Sequence, residues 1–221
     1  NPTGGLINEK DMDEIVKILE ENPQVSILSD EIYSRIIYDG IKFKSMLSYP
    51  QIRDRLILLD GWSKTYAMTG WRIGYSVWPK KLVNISEKLN INSFSCTNAA
   101  TQYAAMAALK GPQECVDKMV SAFARRRKLI FHELNKIEGF KCNASKGAFY
   151  SMPSIKNTKL KSNKVEDILL NQLGIAAVSG KSFGDFGEGY LRLSYASSDE
   201  NIQEALFRIK EFTEKIGWNN A

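Results

Sequence analysis

Apolar positions along the chain recur at two periods. Met12, Ile15, Val16 and Leu19 stand at i, i+3, i+4 and i+7, the stripe of an amphipathic helix. Asn8, with Asp11 three residues on, supplies a capped start for it. Residues 25–28, 56–59 and 71–77 are short apolar runs bounded by Asn22-Pro23, Asp60-Gly61, Gly70 and Pro79. They read as buried strands separated by helical or loop crossovers, which predicts an α/β sheet, mainly parallel. Helical spacing dominates from 80 to 137, with Val116, Met119, Val120, Phe123, Ile130 and Leu134 on one stripe, and Gly139 ends it. Residues 140–142, 147–152, 175–178 and 190–195 then read as short strands. A helix over 165–173 stops at Gly174, a natural left-handed terminator. Ile202, Ala205, Leu206, Ile209 and Phe212 mark a last helix. The expected organisation is an α/β region with flanking helices over 1–125 and a smaller α+β domain over 126–221.

Composition narrows the picture. Of 221 residues, 43% are apolar and 25% charged, as in a soluble globular protein with a real core. No apolar stretch is long enough to cross a bilayer as a helix, and no secretory signal opens the chain, so no membrane partner is expected. The opening Asn1-Pro2-Thr3-Gly4-Gly5 carries no initiator Met and reads as the continuation of a longer chain. Net charge is +5, but the one compact basic run, Arg125-Arg126-Arg127-Lys128, sits inside a helical pattern and reads as a solvated face, not a nucleic-acid surface. Cys96, Cys115 and Cys142 form no C-x-x-C pair and suit a reducing, cytoplasmic compartment. A single histidine, His132, placed in the middle of a helical pattern, rules out multi-His metal sites and most His-based triads, and no metal is expected.

The strand ends carry the candidate chemistry. Ligands of open α/β sheets bind at the carboxyl ends of the parallel strands. The first run ends at Asp30, with Tyr33 three residues on; the second leads into Gly61-Trp62-Ser63-Lys64; Arg72 follows. An acid, a phenol, an amine and a guanidinium suit a pyridinium aldehyde bearing a phosphate. The amine condenses with the aldehyde and the carboxylate pairs with the ring N–H. Ser63 and Arg72 hold the phosphate. Each residue also has an ordinary reading: Lys64 as a surface lysine, Asp30 as a helix cap, Tyr33 as core, Arg72 as a salt-bridging strand residue. Gly180-Lys181-Ser182 lacks the earlier glycine of a phosphate loop, since Ile175 stands there, and Asp185-Phe186-Gly187 lacks the companions of a kinase. Both read as one Gly-rich loop.

N-P-T-G-G at 1–5, S-D-E-I-Y at 29–33, G-W-S-K-T-Y-A-M-T-G-W-R-I-G-Y at 61–75, K-G-A-F-Y at 146–150 and Y-L-R-L-S-Y-A at 190–196 resemble the successive signatures of class I/II aminotransferases of fold type I. The resemblance implies pyridoxal 5'-phosphate as cofactor and a fold type I large domain, present here in its C-terminal portion, followed by the small domain. It implies Lys64 as the lysine that holds the cofactor as a Schiff base and shuttles the proton, Asp30 on the pyridine nitrogen and Tyr33 and Asn1 on the ring hydroxyl. Ser63 and Arg72 fall to the phosphate, and Arg192, with Asn1 nearby, to the substrate carboxylate. From pattern alone an exposed strand face explains Arg192 equally well, and a turn before Pro2 explains Asn1. Where many relatives carry a phosphate-binding serine three residues before the lysine, this chain has Gly61, whose N–H is the remaining donor there. The implied reaction is ping-pong amino transfer between an amino acid and a 2-oxo acid by a homodimer, with 93–98 facing the partner. The same residues serve C–S lyases and non-catalytic aminotransferase-like domains. A segment that relatives carry before N-P-T-G is absent from this sequence.

Overall fold

Asn8 caps the first helix, α1 (Glu9–Glu21), its side chain accepting from the Asp11 N–H at 2.9 Å. Met12 and Val16, one turn apart, are buried with Met46, Tyr49, Ile52 and Leu56 in one core cluster. The strands β1 (Ile27–Asp30) and β2 (Leu56–Gly61) pair in parallel, with Ile27 opposite Leu56 and Asp30 opposite Leu59. The next strand, β3 (Gly74–Val77), pairs antiparallel with β2, so this three-stranded sheet of order β1-β2-β3 is mixed. Residues 62–73 are spent in two tight turns that reverse the chain, leaving no crossover helix to bring β3 back in parallel. Three helices follow: α3 (Val83–Phe94), α4 (Ala99–Lys110) and α5 (Glu114–Leu134), with α2 (Trp62–Thr65) being the single turn after β2.

The computed structural model describes residues 1–218, and the chain divides into two compact units: Ile7–Lys118, and Met119 onward together with Asn1–Leu6. The second unit holds a three-stranded antiparallel sheet of β4 (Tyr150–Ser151), β5 (Val178–Ser179) and β6 (Leu191–Ser194), with β6 in the centre. The strand expected over 140–142 reduces to an isolated bridge between Lys141 and Ser154. α6 (Ser162–Asn171) packs on β5, α7 (Asp199–Lys215) follows β6 in the chain, and Leu134, Ile155, Val165, Ile168, Leu169, Leu191, Tyr195 and Ile209 are wholly buried. Helix starts are fastened by side chains: Ser198 accepts from the Asn201 N–H at 3.1 Å, and Glu188 accepts from the Ser162 N–H at 2.9 Å. Among the described residues no helix is long and apolar enough to cross a membrane.

Candidate active site

In the unit 7–118, the carboxyl ends of β1 and β2 lie side by side. The Glu31 N–H continues the parallel ladder by donating to the Leu59 carbonyl at 2.8 Å. Asp30 sits exposed at the last position of β1, its Oδ1 accepting from the Ile32 N–H at 3.1 Å. That bond folds the chain into a turn, in which Ile36 donates to the Tyr33 carbonyl and Tyr33 stays half-buried. Next door, β2 runs directly into α2. Trp62 and Thr65 are buried, while Ser63 and Lys64 between them are half-buried. Trp62 is the anchor: its indole N–H donates to the Ala105 carbonyl of α4 at 3.1 Å, and its ring meets Tyr75 edge-on at 5.6 Å. Arg72 follows in the left-handed region (φ 52°), exposed, with Nη1 donating to the Thr69 carbonyl at 2.8 Å.

Gly61 has a steric reason. A Cβ there would stand 2.8 Å from the Gly74 Cα and 3.0 Å from the Ile73 carbonyl, because β3 crosses close against it. A serine at this position would require β3 to shift away. The Gly61 N–H donates to the Oδ1 of its own neighbour Asp60 at 2.6 Å. Asp60 also accepts from the Tyr75 hydroxyl at 3.2 Å. Burial pushes the Asp60 carboxyl above its ordinary range, against the pull of the Gly61, Tyr75 and Ser34 hydrogen bonds, and the nearby Asp30 charge pushes the same way. Tyr75 is pushed up as well, first by burial and then by Asp60.

A polar knot ties the loops that carry Tyr33 and Lys64. Gln113, in the link between α4 and α5, accepts at Oε1 from Arg35 (2.7 Å) and from the Tyr66 hydroxyl (3.0 Å). Its Nε2 donates to the carbonyls of Ala108 (2.9 Å) and Gly111 (2.8 Å). Arg35 lies two residues beyond Tyr33, and Tyr66 two beyond Lys64. The sequence pattern singled out none of Asp60, Arg35 and Gln113. The one signal near Gln113 is the Gly111-Pro112 break, which marks a turn and says nothing of its partners.

In the other unit, Asn1 and Arg192 are brought together, with Arg192 Nη1 donating to Asn1 Oδ1 at 2.8 Å. The N-P-T-G-G segment is held there by its glycine. Lys146 and Gly147 both donate to the Gly4 carbonyl (2.7 and 3.0 Å), and a Cβ on Gly4 would collide with the Ser145 side chain and the Tyr150 carbonyl. Arg192 is half-buried on the central strand β6, and its guanidinium carbon lies 4.5 Å from the Tyr150 ring centre and 4.7 Å from that of Phe183.

Five sequence blocks and these two clusters point one way, and comparison with known proteins decides it. Residues 1–209 match the family described as aminotransferase class I and II. The chain belongs to this family. An aspartate aminotransferase of Pyrococcus abyssi is 38% identical to it over 213 residues, 96% of this chain and 54% of that protein. Aromatic-amino-acid aminotransferase 2 of Thermococcus litoralis is 37% identical, over 96% of this chain and 54% of its own length. Among solved structures, the aromatic aminotransferase from Pyrococcus horikoshii superposes with a TM-score of 0.94 at 36% identity, covering 99% of this chain and 58% of that one. The chain thus spans about half the length of the curated relatives it matches. Its α/β fold is that of these aminotransferases, with a mixed sheet in the Lys64 unit.

Proposed function

We propose that this chain carries the lysine-bearing part of a pyridoxal-phosphate-dependent aminotransferase that moves an amino group between an amino acid and a 2-oxo acid. The supporting observation is the register of β1 and β2, which sets Asp30 and the Lys64 turn at adjacent carboxyl ends of parallel strands. The donor set there fits the cofactor: an amine for the aldehyde, a carboxylate for the pyridine nitrogen, a phenol for the ring hydroxyl, and a hydroxyl and a guanidinium together for the phosphate. Lys64 would hold it covalently, Asp30 would face the pyridine nitrogen, and Tyr33 and Asn1 the ring hydroxyl. Ser63 and Arg72 would take the phosphate, where the planar guanidinium suits paired oxygens. When bound, the cofactor supplies an electron sink for the charge left on the substrate Cα. Once the substrate amine has taken its place and set it free, Lys64 Nζ would be the base that takes the Cα proton and later returns it. Arg192, with Asn1 on one of its N–H groups, binds the substrate carboxylate and so orients the Cα–H bond.

We take residues 1–125 and 126–221 as the large-domain and small-domain portions, and the working protein as a cytoplasmic homodimer. Exposed Ile91 and Phe94 at the end of α3 support a second copy near 93–98, and three thiols outside any disulfide support a reducing compartment. The decisive experiment is to incubate the protein with pyridoxal phosphate, reduce with borohydride and map the modified lysine by peptide mass spectrometry. Labelling confined to Lys64, lost in Lys64→Arg, is expected; scattered or absent labelling sinks the reading. Product analysis with amino acids is expected to yield 2-oxo acids, whereas release of ammonia and thiol from a sulfur amino acid makes it a C–S lyase.

A further inference from the structure

The Gly-rich loop 180–187 matches neither a phosphate loop nor a kinase motif, and its conformation is tightly determined. Its two ends cross back to back: a Cβ on Gly180 would overlap the Gly187 carbonyl, and one on Gly187 would overlap the Gly180 carbonyl. Gly180 donates to the Tyr190 carbonyl at 2.8 Å, Gly187 to the Gly184 carbonyl at 3.0 Å, and Lys181 pairs with Asp185 across the loop. Between these clips the loop carries Phe183 to within 4.7 Å of the Arg192 guanidinium carbon. Tyr150 reaches the same guanidinium from the opposite neighbour of β6. Tyr150 stands on β4 opposite Ser194 of β6, so its side chain shares a face with Arg192, the diagonal position.

We propose that Phe183 is a positioning residue for carboxylate binding. Its ring, together with that of Tyr150, holds the Arg192 guanidinium by its π faces, so that the N–H edge not taken by Asn1 is presented to a planar carboxylate. This rests on the reading of Arg192 as the substrate-carboxylate site. An unsupported arginine samples many rotamers, and a carboxylate must then order it on binding. Two rings, one on strand β4 and one on the clipped loop after β5, remove that freedom beforehand. Aromatic faces suit the task because they attract the cation without competing for its N–H donors.

The test uses Phe183→Leu, which keeps apolar bulk and removes the ring, with Phe183→Trp as the rescue and Arg192→Leu as the reference. Binding of 3-phenylpropanoate, a carboxylate with no amino group to react, is measured by calorimetry, alongside KM and kcat for an amino acid and a 2-oxo acid. Arg192→Leu is expected to abolish binding. Phe183→Leu is expected to weaken it about three- to thirtyfold and to raise both KM values equally, and Phe183→Trp to restore them. The kcat value, the affinity for pyridoxal phosphate and the melting temperature are expected to hold, which a merely structural role for the ring would not leave intact. Loss of binding in Arg192→Leu with none in Phe183→Leu overturns the positioning role alone. Undiminished binding in Arg192→Leu overturns the carboxylate reading of Arg192 itself.

Discussion

In the unit from Met119 onward, the faces expected from helical spacing are buried: Val165, Ile168 and Leu169 on α6, and Ile202, Leu206, Ile209 and Phe212 on α7. In the unit 7–118, α1 behaves the same way, but α3 and α4 do not. Val83, Ile85, Leu89, Ile91 and Phe94 on α3, and Tyr103, Met106 and Leu109 on α4, are exposed, and β3 is exposed at all four positions. On α3 the apolar residues are scattered round the helix among Asn84, Glu87, Lys88, Asn90 and Asn92, so no single face gathers them. One unit closes its core with the residues described here, and the other leaves apolar sheet and helix surface outside its core. The proposed cofactor residues Asp30 and Lys64 belong to the open unit, and the proposed carboxylate residue Arg192 belongs to the closed one.

The contrast can be broken by paired truncations. Leu169→Ala, at a fully buried site on α6, is expected to cost about 3 kcal/mol in denaturant unfolding, through lost transfer energy and the cavity left behind. Leu89→Ala, at a position 59% exposed on α3, is expected to change the stability of this chain by less than about 0.5 kcal/mol. Equal costs at the two sites would abolish the distinction between the units. A smaller effect sharpens it within the open unit. Gln113→Ala, which removes two acceptor and two donor bonds from the knot on the Tyr33 and Lys64 loops, is expected to cost about 1–2 kcal/mol and to speed amide exchange at Ile36 and Tyr66. Unchanged exchange at both would show that Gln113 does not hold these loops.

The smallest effect is electrostatic and lies in the closed unit. Arg125 and Arg126, each 2.7 Å from Asp199, hold its carboxyl down to about 2. A depressed folded-state value stabilises above the ordinary carboxylate range and is lost as pH falls through about 2. Asp199→Asn is therefore expected to be slightly less stable than the parent at neutral pH. The two are expected to converge as pH falls from about 4 towards 2, and the gap at neutral pH to shrink in high salt because the pair is solvent-facing. Melting temperatures across pH check this, and a gap that widens on acidification would reverse the sign.

Much of the candidate site was open to reading from the sequence because chemistry-bearing residues follow strand ends in order. Asp30 and Lys64 come directly after apolar runs, and the run ends are where an α/β sheet presents its ligands. The direction of β3 was not legible, since an apolar run carries no sign of whether its neighbour runs with it or against it. Gln113, Arg35 and Tyr66 meet across 78 and 47 residues of sequence separation, a distance over which no local pattern speaks. Gly61 shows the same divide at one position. Its identity was plain in the sequence as a departure from the family block, while its cause, the close crossing of β3, appears only when the strands are packed. By itself the sequence determined most of the segments that become helix or strand, the expected strand over 140–142 excepted, because periodicity and turn chemistry act over a few residues. Only the tertiary structure decided strand direction, the glycine crossings, and the rings around Arg192, because those depend on groups that packing brings together from distant parts of the chain.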